Sequence, residues 1–142
     1  MPKPCDNIGV RHGSWGEEVA SRYLRARGLE IIERNSRPCA ADRRLEIDIV
    51  AYESRTDTLV FVEVKQHRDF SPYQRRLRSV NRRKLANMRR VCNNWRLRFG
   101  WQGGYRFDVL EVYGTPETGE THIDHIRSVP LFTARERQVA WT

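Results

Sequence analysis

The sequence predicts an α/β fold in which a central mixed sheet is flanked by helices. Two segments repeat apolar residues at spacings of three and four, which is typical of amphipathic helices. Short runs rich in Ile, Val and Phe, bounded by polar residues, Gly or Pro, are typical of strands. The order is one helix, three strands, a long helix and one or two further strands. This order favours a layered sandwich of sheet and helices.

The first helix is predicted to begin near Ser14 and to end before Gly28. Ser14 and Glu17 have the spacing of a capping box, so Glu17 has a structural explanation as a capping carboxylate. Gly28 is placed to terminate the helix, because glycine readily adopts the left-handed conformation that follows a helix end. The apolar side of this helix consists of Trp15, Val19, Ala20, Tyr23 and Leu24.

Three strands are predicted next, over residues 29–35, 46–52 and 58–65, with a loop over residues 36–44. The second and third strands are separated by a connection of hairpin length. We therefore expect them to be antiparallel neighbours in the sheet.

Side-chain alternation along these strands groups their charged residues. It places Glu63 and Lys65 on one face of the third strand. It also places Glu46 and Asp48 together, opposite the two isoleucines that alternate with them. Because the two strands are expected to be antiparallel, Asp48 and Glu63 are predicted to converge at one end of the sheet.

The second helix, predicted over residues 72–99, is strongly basic outside its apolar stripe. Residues 66–100 hold eleven Arg or Lys against Asp69 alone, so this segment supplies the excess behind the net charge of +8. A basic excess of this kind indicates an anionic partner, most often nucleic acid. A solvated helix face with no partner is the alternative. The apolar stripe consists of Leu85, Met88, Cys92, Trp95 and Phe99, the last two expected in the core.

The remaining chain predicts a strand over residues 105–113 and, after a turn, an edge strand over residues 122–129 that Pro130 stops. No internal repeat or domain boundary is visible. The expected organisation is a flexible arm over residues 1–12, a single domain over residues 13–130 and a tail over residues 131–142.

Composition argues against a membrane protein. The chain has no run of about 18 apolar residues, and its N-terminus lacks an apolar signal-peptide region. These features predict a cytoplasmic location with no membrane partner. Cys5, Cys39 and Cys92 are odd in number and widely spaced, which predicts reduced thiols and gives no zinc pattern.

Asp48, Glu63 and Lys65 interrupt otherwise apolar strands and define the candidate site. Charged groups are rarely buried without partners, so either a structural ion network or a metal ion must compensate for them. Mg²⁺ prefers oxygen ligands and commonly takes one or two protein carboxylates. Asp48 and Glu63 supply such a pair, and the peptide carbonyl of Val64 offers another oxygen. Lys65 would face the same site, where it could orient an attacking water.

These residues resemble a known group of proteins. An aspartate followed at this spacing by Glu-Val-Lys, after a helical Glu17, resembles the PD-(D/E)xK nuclease superfamily. More closely, the chain resembles the YraN-like family of small bacterial proteins, which is related to archaeal Holliday-junction resolvases. It departs from that family at Leu45, where glycine is usual, and at Gln66-His67 before Arg68. The matching stretches are G-E-E-V-A-x-x-Y-L at 16–24, R-N at 34–35, E-I-D-I-V-A at 46–51, V-F-V-E-V-K at 60–65, V-N-R-R-K at 80–84 and R-F-D-V at 106–109.

The resemblance implies a restriction-endonuclease-like fold and a Mg²⁺-dependent endonuclease, with Mn²⁺ able to substitute, that hydrolyses phosphodiesters of DNA, including branched or structured DNA. Resolvase-like cutting of paired strands would require a homodimer. One alternative is a nucleic-acid-binding protein whose degenerate or regulatory metal site does not cleave. Another is a module that binds an acidic protein. The resemblance gives Glu17, Asp48, Glu63 and Lys65 as the metal and catalytic positions. The expected metal ligands are Asp48, Glu63 and the carbonyl of Val64.

Contacts with nucleic acid are expected near the end of the third strand and along the basic helix. For the Arg and Lys residues the ground is charge, because they neutralise backbone phosphates. For Gln66 it is the resemblance, because nucleases of this superfamily often place a polar residue after the catalytic Lys. The residues concerned are Gln66, Arg68, Arg75, Arg76, Arg82, Arg83 and Lys84.

Overall fold

The computed structural model describes residues 14–70 and 82–132, which form a five-stranded sheet with a helix against each face. This is the restriction-endonuclease-like α/β fold that the sequence predicts. The predicted arm, the first ten residues of the predicted second helix and most of the predicted tail lie outside the described residues. In chain order the elements are α1 (Trp15–Ala26), β1 (Leu29–Ser36), β2 (Ile47–Glu53), β3 (Thr58–His67), α2 (Arg82–Phe99), β4 (Gly104–Tyr113) and β5 (His122–Ile126).

The strands follow one another across the sheet in chain order, β1-β2-β3-β4-β5. Pairs β1–β2, β2–β3 and β4–β5 are antiparallel, which confirms the predicted hairpin between β2 and β3. Strands β3 and β4 are parallel, because the chain crosses between them through α2. The sheet is therefore mixed, with β1 and β5 at its edges.

Helix α1 covers one face of the sheet. Its start is capped by the Ser14 hydroxyl, which accepts a hydrogen bond from the Glu17 backbone N–H at 3.3 Å. Gly28 follows the helix with a φ of +87°, as its predicted role in ending the helix requires. The buried core on this face consists of Ala20, Leu24, Leu29, Ile49, Ala51, Val60, Val62, Leu110 and Val112.

Helix α2 covers the other face through Val91, Cys92 and Trp95, which are buried. Leu85 and Met88 pack partly buried against the same core, as the apolar stripe predicts. The expectation that Phe99 is a core residue is wrong, because its side chain is 40% exposed. Phe99 ends the helix, and its ring lies against the ring of Trp95 at a centroid distance of 4.5 Å.

The start of β2 breaks the expected alternation. Ile47 belongs to the core beneath α2, whereas Ile49 belongs to the core beneath α1, so the prediction that they share a face is wrong. The ladder with β3 begins only at the Ile49–Val62 pair, so the first two residues of β2 lie outside it. Asp48 therefore sits where the ladder ends and its side chain can reach the backbone of β3.

Two strand ends also differ from expectation. Strand β3 continues to His67, two residues beyond the predicted end, and β5 stops at Ile126 instead of continuing to Val129. In the described part of the chain, neither helix is long and apolar enough to cross a membrane.

Candidate metal centre at the ends of β2 and β3

Three carboxylates converge where α1 begins and β2 starts. Glu17, Glu46 and Asp48 each offer one oxygen, and these oxygens lie within 4.8 Å of one another. All three side chains belong to half-buried residues. Carboxylate oxygens at this spacing are the ligands that hard divalent cations prefer, so the cluster has the chemistry of a metal site.

Asp48 is fixed by the neighbouring strand. Its Oδ2 accepts a hydrogen bond from the Val64 backbone N–H at 2.8 Å. Burial, followed by the nearby Glu63 carboxylate, raises the pKa of Asp48 to about 7. The two carboxyl groups are close enough to share a hydrogen bond, which is the convergence that the antiparallel pairing predicts. Two acids in such contact need a proton or a cation between them.

Lys65 lies beside Glu63 on the same strand. Its Nζ is 3.3 Å from Glu63 Oε1, and both side chains are largely shielded from solvent. Burial raises the pKa of Glu63, and the Lys65 ammonium opposes that increase. The predicted ion network is therefore present, but one ammonium faces several carboxylates. The remaining negative charge favours a bound cation.

Glu17 contributes a carboxylate that helix capping does not explain. The capping oxygen belongs to Ser14, and Glu17 takes part through its backbone N–H. Its Oε2 is buried and has no hydrogen-bond partner among the described residues. Burial and the neighbouring Asp48 raise the pKa of Glu17. Glu18, the adjacent acid, is instead paired with Arg34 at 2.7 Å, which supports the assignment of Glu17 to the site.

The structure adds residues to which the sequence assigned no role. Glu46, at the edge of the cluster, is bonded through Oε2 to Arg37 Nη2 at 2.8 Å. Asn35 hydrogen-bonds through its side chain to Glu17, and its backbone is left-handed with a φ of +53°. The signal for Asn35 was present in the R-N stretch at 34–35, because asparagine tolerates the left-handed region better than most residues.

Gln66 connects the end of β3 to the start of α1. Its Oε1 accepts a hydrogen bond from the Gly16 backbone N–H at 3.2 Å. A Cβ on residue 16 would lie 2.7 Å from that oxygen, so a larger residue there would have to displace the Gln66 amide. Gln66 therefore helps to place the turn that carries Glu17. Its predicted contact with nucleic acid stays a prediction.

The other predicted nucleic-acid contacts are on the surface. Arg68 is exposed just beyond β3, and Arg82, Arg83 and Lys84 are exposed in the first turn of α2. Arg75 and Arg76 lie outside the described residues. The peptide carbonyl of Val64 stays a predicted metal ligand, and its N–H is the group that holds Asp48.

Comparisons with known proteins identify relatives over most of the chain. A family model described as uncharacterised protein family UPF0102 matches residues 16–112. A UPF0102 protein of Beutenbergia cavernae is 38% identical over 118 residues, covering 82% of this chain and 93% of the relative. UPF0102 proteins of Frankia casuarinae and a Parafrankia species are 40% and 41% identical, covering 81% and 84% of this chain and 92% and 96% of the relatives. The chain therefore belongs to the UPF0102 family, the YraN family that its motifs resemble.

Proposed function

We propose that this protein is a metal-dependent endonuclease that hydrolyses DNA phosphodiesters, with branched or structured DNA among its substrates. The observation that carries the proposal is the acidic cluster of Glu17, Glu46 and Asp48, with one buried Glu17 oxygen left without a partner among the described residues. Glu63 extends the cluster through its contact with Asp48, and Lys65 lies beside Glu63. A structural ion pair would explain neither the excess of carboxylates over cations nor the buried Glu17 oxygen that lacks a partner among the described residues.

The donor set fits Mg²⁺ or Mn²⁺. Glu17, Asp48 and Glu63 would hold the ion, together with the carbonyl of Val64, because hard cations take carboxylate and carbonyl oxygens. When bound, such an ion polarises the phosphodiester and stabilises the negative charge that develops during hydrolysis. Glu46 is less free to bind the ion because it is already paired with Arg37.

The remaining roles fall to the chain's own side chains. Lys65, held against Glu63, would orient the attacking water and offset phosphate charge. The exposed Arg68, Arg82, Arg83 and Lys84 would bind backbone phosphates on either side of the cut. Symmetric cutting of two strands would require two copies of the chain.

A cleavage assay tests the proposal. Purified protein is incubated with plasmid and with branched DNA in Mg²⁺, in Mn²⁺ and in EDTA. The wild type should cut only with metal. Asp48→Asn and Lys65→Ala should lose about 100-fold or more in rate, the scale of a lost catalytic group.

Asp57→Asn is the matched control, because Asp57 lies in the β2–β3 turn at the opposite end of the hairpin from the site. It should cut like the wild type. DNA binding without cleavage under either divalent ion would refute the enzyme and favour a binding protein with a degenerate site.

A further inference from the structure

We propose that Phe70 and His122 form an aromatic platform that binds an unpaired nucleobase, so that the preferred substrate carries single-stranded nucleotides beside the cleavage point. This inference rests on the proposed nuclease function for its choice of substrate. The platform itself rests on a separate set of contacts beyond the end of β3.

Contacts with neighbouring residues hold the Phe70 and His122 rings of the platform in place. Phe70 is 51% exposed, yet its ring lies 4.3 Å from that of His122 and 5.2 Å, edge to face, from that of Tyr113. Tyr113 is buried and donates its hydroxyl to Glu111 at 2.9 Å. His122 is hydrogen-bonded to Asp124 at 3.0 Å. The exposed rings are therefore held in place before any ligand arrives.

The platform lies on the same face of the sheet as Glu63 and Lys65, the residues of the candidate site on β3. Lys65 and His67 share that face by alternation, roughly 7 Å apart. The His67 ring stacks on Tyr113, with centroids 4.9 Å apart and planes at 22°. Phe70 packs against the same Tyr113, so the platform is on the order of 10 to 15 Å from Lys65. One DNA strand rises about 3.4 Å per nucleotide, so this distance corresponds to a few nucleotides.

The charge beside the platform is mixed, because Arg68 lines a cleft together with the acidic Asp69 and Glu117. Arg68 is exposed two residues before Phe70, within the segment that supplies the chain's excess positive charge. The nearby acids Glu111 and Asp124 are bonded to Tyr113 and His122. A phenylalanine ring offers no hydrogen bond, so it would bind a nucleic acid by stacking against the flat face of a base.

This geometry selects unpaired bases. In an intact duplex every base is already stacked and paired, and drawing one out costs free energy. A base in a tail, flap or gap has no such cost and can stack on Phe70 directly. The platform therefore discriminates between substrates by the presence of single-stranded nucleotides, independently of their sequence.

The test measures binding without metal, so that cleavage plays no part. The probes are a duplex with a single-stranded tail containing 2-aminopurine and a blunt duplex of equal charge, both in EDTA. The wild type should bind the tailed probe more tightly and quench its fluorescence. Phe70→Leu, which keeps apolar bulk, should weaken binding to the tailed probe about tenfold, and Phe70→Trp should retain it. Blunt-duplex affinity should be the same for all three proteins.

Leu97→Ala is the matched control, because Leu97 is 81% exposed on α2, near the chain's entry into β4 and away from Tyr113 at the other end of that strand. The inference is overturned if the wild type does not prefer the tailed probe. It is also overturned if the Phe70→Leu variant binds the tailed probe as tightly as the wild type does. The same conclusion follows if the variant loses affinity for the tailed and blunt probes by the same factor. A protein that shows Phe70-dependent binding but never cleaves contradicts only the nuclease proposal, and cleavage insensitive to Phe70 contradicts only the platform.

Discussion

Asn35 has a left-handed backbone within β1, next to the acidic cluster. Such a conformation costs a non-glycine residue on the order of 1 kcal/mol or more and persists where the surroundings require it. Here the Asn35 side chain hydrogen-bonds to the Glu17 carboxylate, which is repelled by Asp48 and Glu46. One oxygen of that carboxylate has no hydrogen-bond partner in the part of the chain that the structure describes. We infer that Asn35 positions the Glu17 carboxylate for a cation.

Replacing Asn35 with glycine tests this role directly. Glycine keeps the backbone conformation without strain and removes only the amide. We expect Mn²⁺ affinity, measured by calorimetric titration, to fall about tenfold, as for other residues that orient metal ligands. The melting temperature should change little.

Asp57→Gly is the control for this substitution, because Asp57 is also left-handed, with a φ of 49°, and lies in the β2–β3 turn. It should bind Mn²⁺ like the wild type. Equal affinity in Asn35→Gly and wild type would show that Asn35 has no positioning role.

At this scale the sequence was more informative about charge than about backbone conformation. Asp48, Glu63 and Lys65 could be recognised because each interrupts an apolar run. Alternation placed Glu46 beside Asp48, but the pairing of Glu46 with Arg37 depends on the course of the loop before β2, which no periodic rule anticipates. The contact of Asn35 depends on its left-handed φ angle, which asparagine permits but does not impose.

At the scale of elements, a buried polar network joins β4 to β5 and α1. Asp108 is fully buried and bonded to Arg106 Nε at 3.1 Å, to His125 Nε2 at 2.8 Å and to the Ser128 backbone N–H at 2.9 Å. The Tyr23 hydroxyl on α1 lies 3.1 Å from the other nitrogen of His125. The network ties the helix that carries Glu17 to the far edge of the sheet.

Removing Asp108 should therefore destabilise the fold. Asp108→Ala leaves Arg106 without one of its acidic partners in a half-buried position, and breaking a buried pair costs about 3–5 kcal/mol. The free energy of unfolding, from urea denaturation, should fall by that amount. Asp57→Asn should cost less than about 1 kcal/mol, because Asp57 is exposed and asparagine tolerates its left-handed backbone. Equal losses in the two variants would contradict a structural role for the network.

Glu53 gives this region a defined pH dependence. The Thr56 hydroxyl donates a hydrogen bond to Glu53 at 2.6 Å and, with Arg106, lowers the pKa of Glu53 below its ordinary 4.5. Because the folded state binds this proton less readily than the unfolded state, the stabilisation is complete above pH 4.5. It is lost as the pH falls through the lower, folded-state pKa.

The measurement compares wild type with Glu53→Gln by urea denaturation at neutral and acidic pH. Wild type should be more stable by about 1–2 kcal/mol at pH 7, and the difference should shrink as the pH falls below 4.5. A difference that is independent of pH would mean that the ionised carboxylate contributes nothing.

At the scale of the whole molecule, the segment that carries the excess positive charge directly follows Lys65 in the sequence. Its basic residues at the start of α2 are exposed. Side chains that neutralise phosphates release counterions, so they give binding a steep dependence on salt. Replacing Arg82, Arg83 and Lys84 together with alanine should reduce that slope by about 0.9 for each phosphate that the variant no longer neutralises. Affinity for duplex DNA measured at several salt concentrations gives the slope.

Arg22→Ala serves as the control, because Arg22 is a 77% exposed arginine on α1, on the opposite face of the sheet from α2. Its slope should match that of the wild type. An unchanged slope in the triple variant would favour an acidic protein as the partner of the basic helix.

The overall architecture was largely accessible from the sequence. Helical and strand periodicities gave the element order, and the short β2–β3 connection gave the central antiparallel pair. The ends of the elements were less accessible, because tertiary contacts set them. Strand β3 extends to His67 because its ladder with β4 continues to the His67–Tyr113 pair. Strand β5 ends at Ile126, and the Val129 N–H then donates a hydrogen bond to the Phe107 carbonyl outside the strand.

The central claim is that the acidic cluster is a metal centre, and anomalous diffraction from crystals soaked in Mn²⁺ tests it most directly. The predicted result is one strong peak about 2.1 Å from an Asp48 oxygen, with Glu17 or Glu63 also coordinating. The peak should be absent in Asp48→Asn crystals. A wild-type crystal with no peak between these carboxylates at saturating Mn²⁺ would contradict the account.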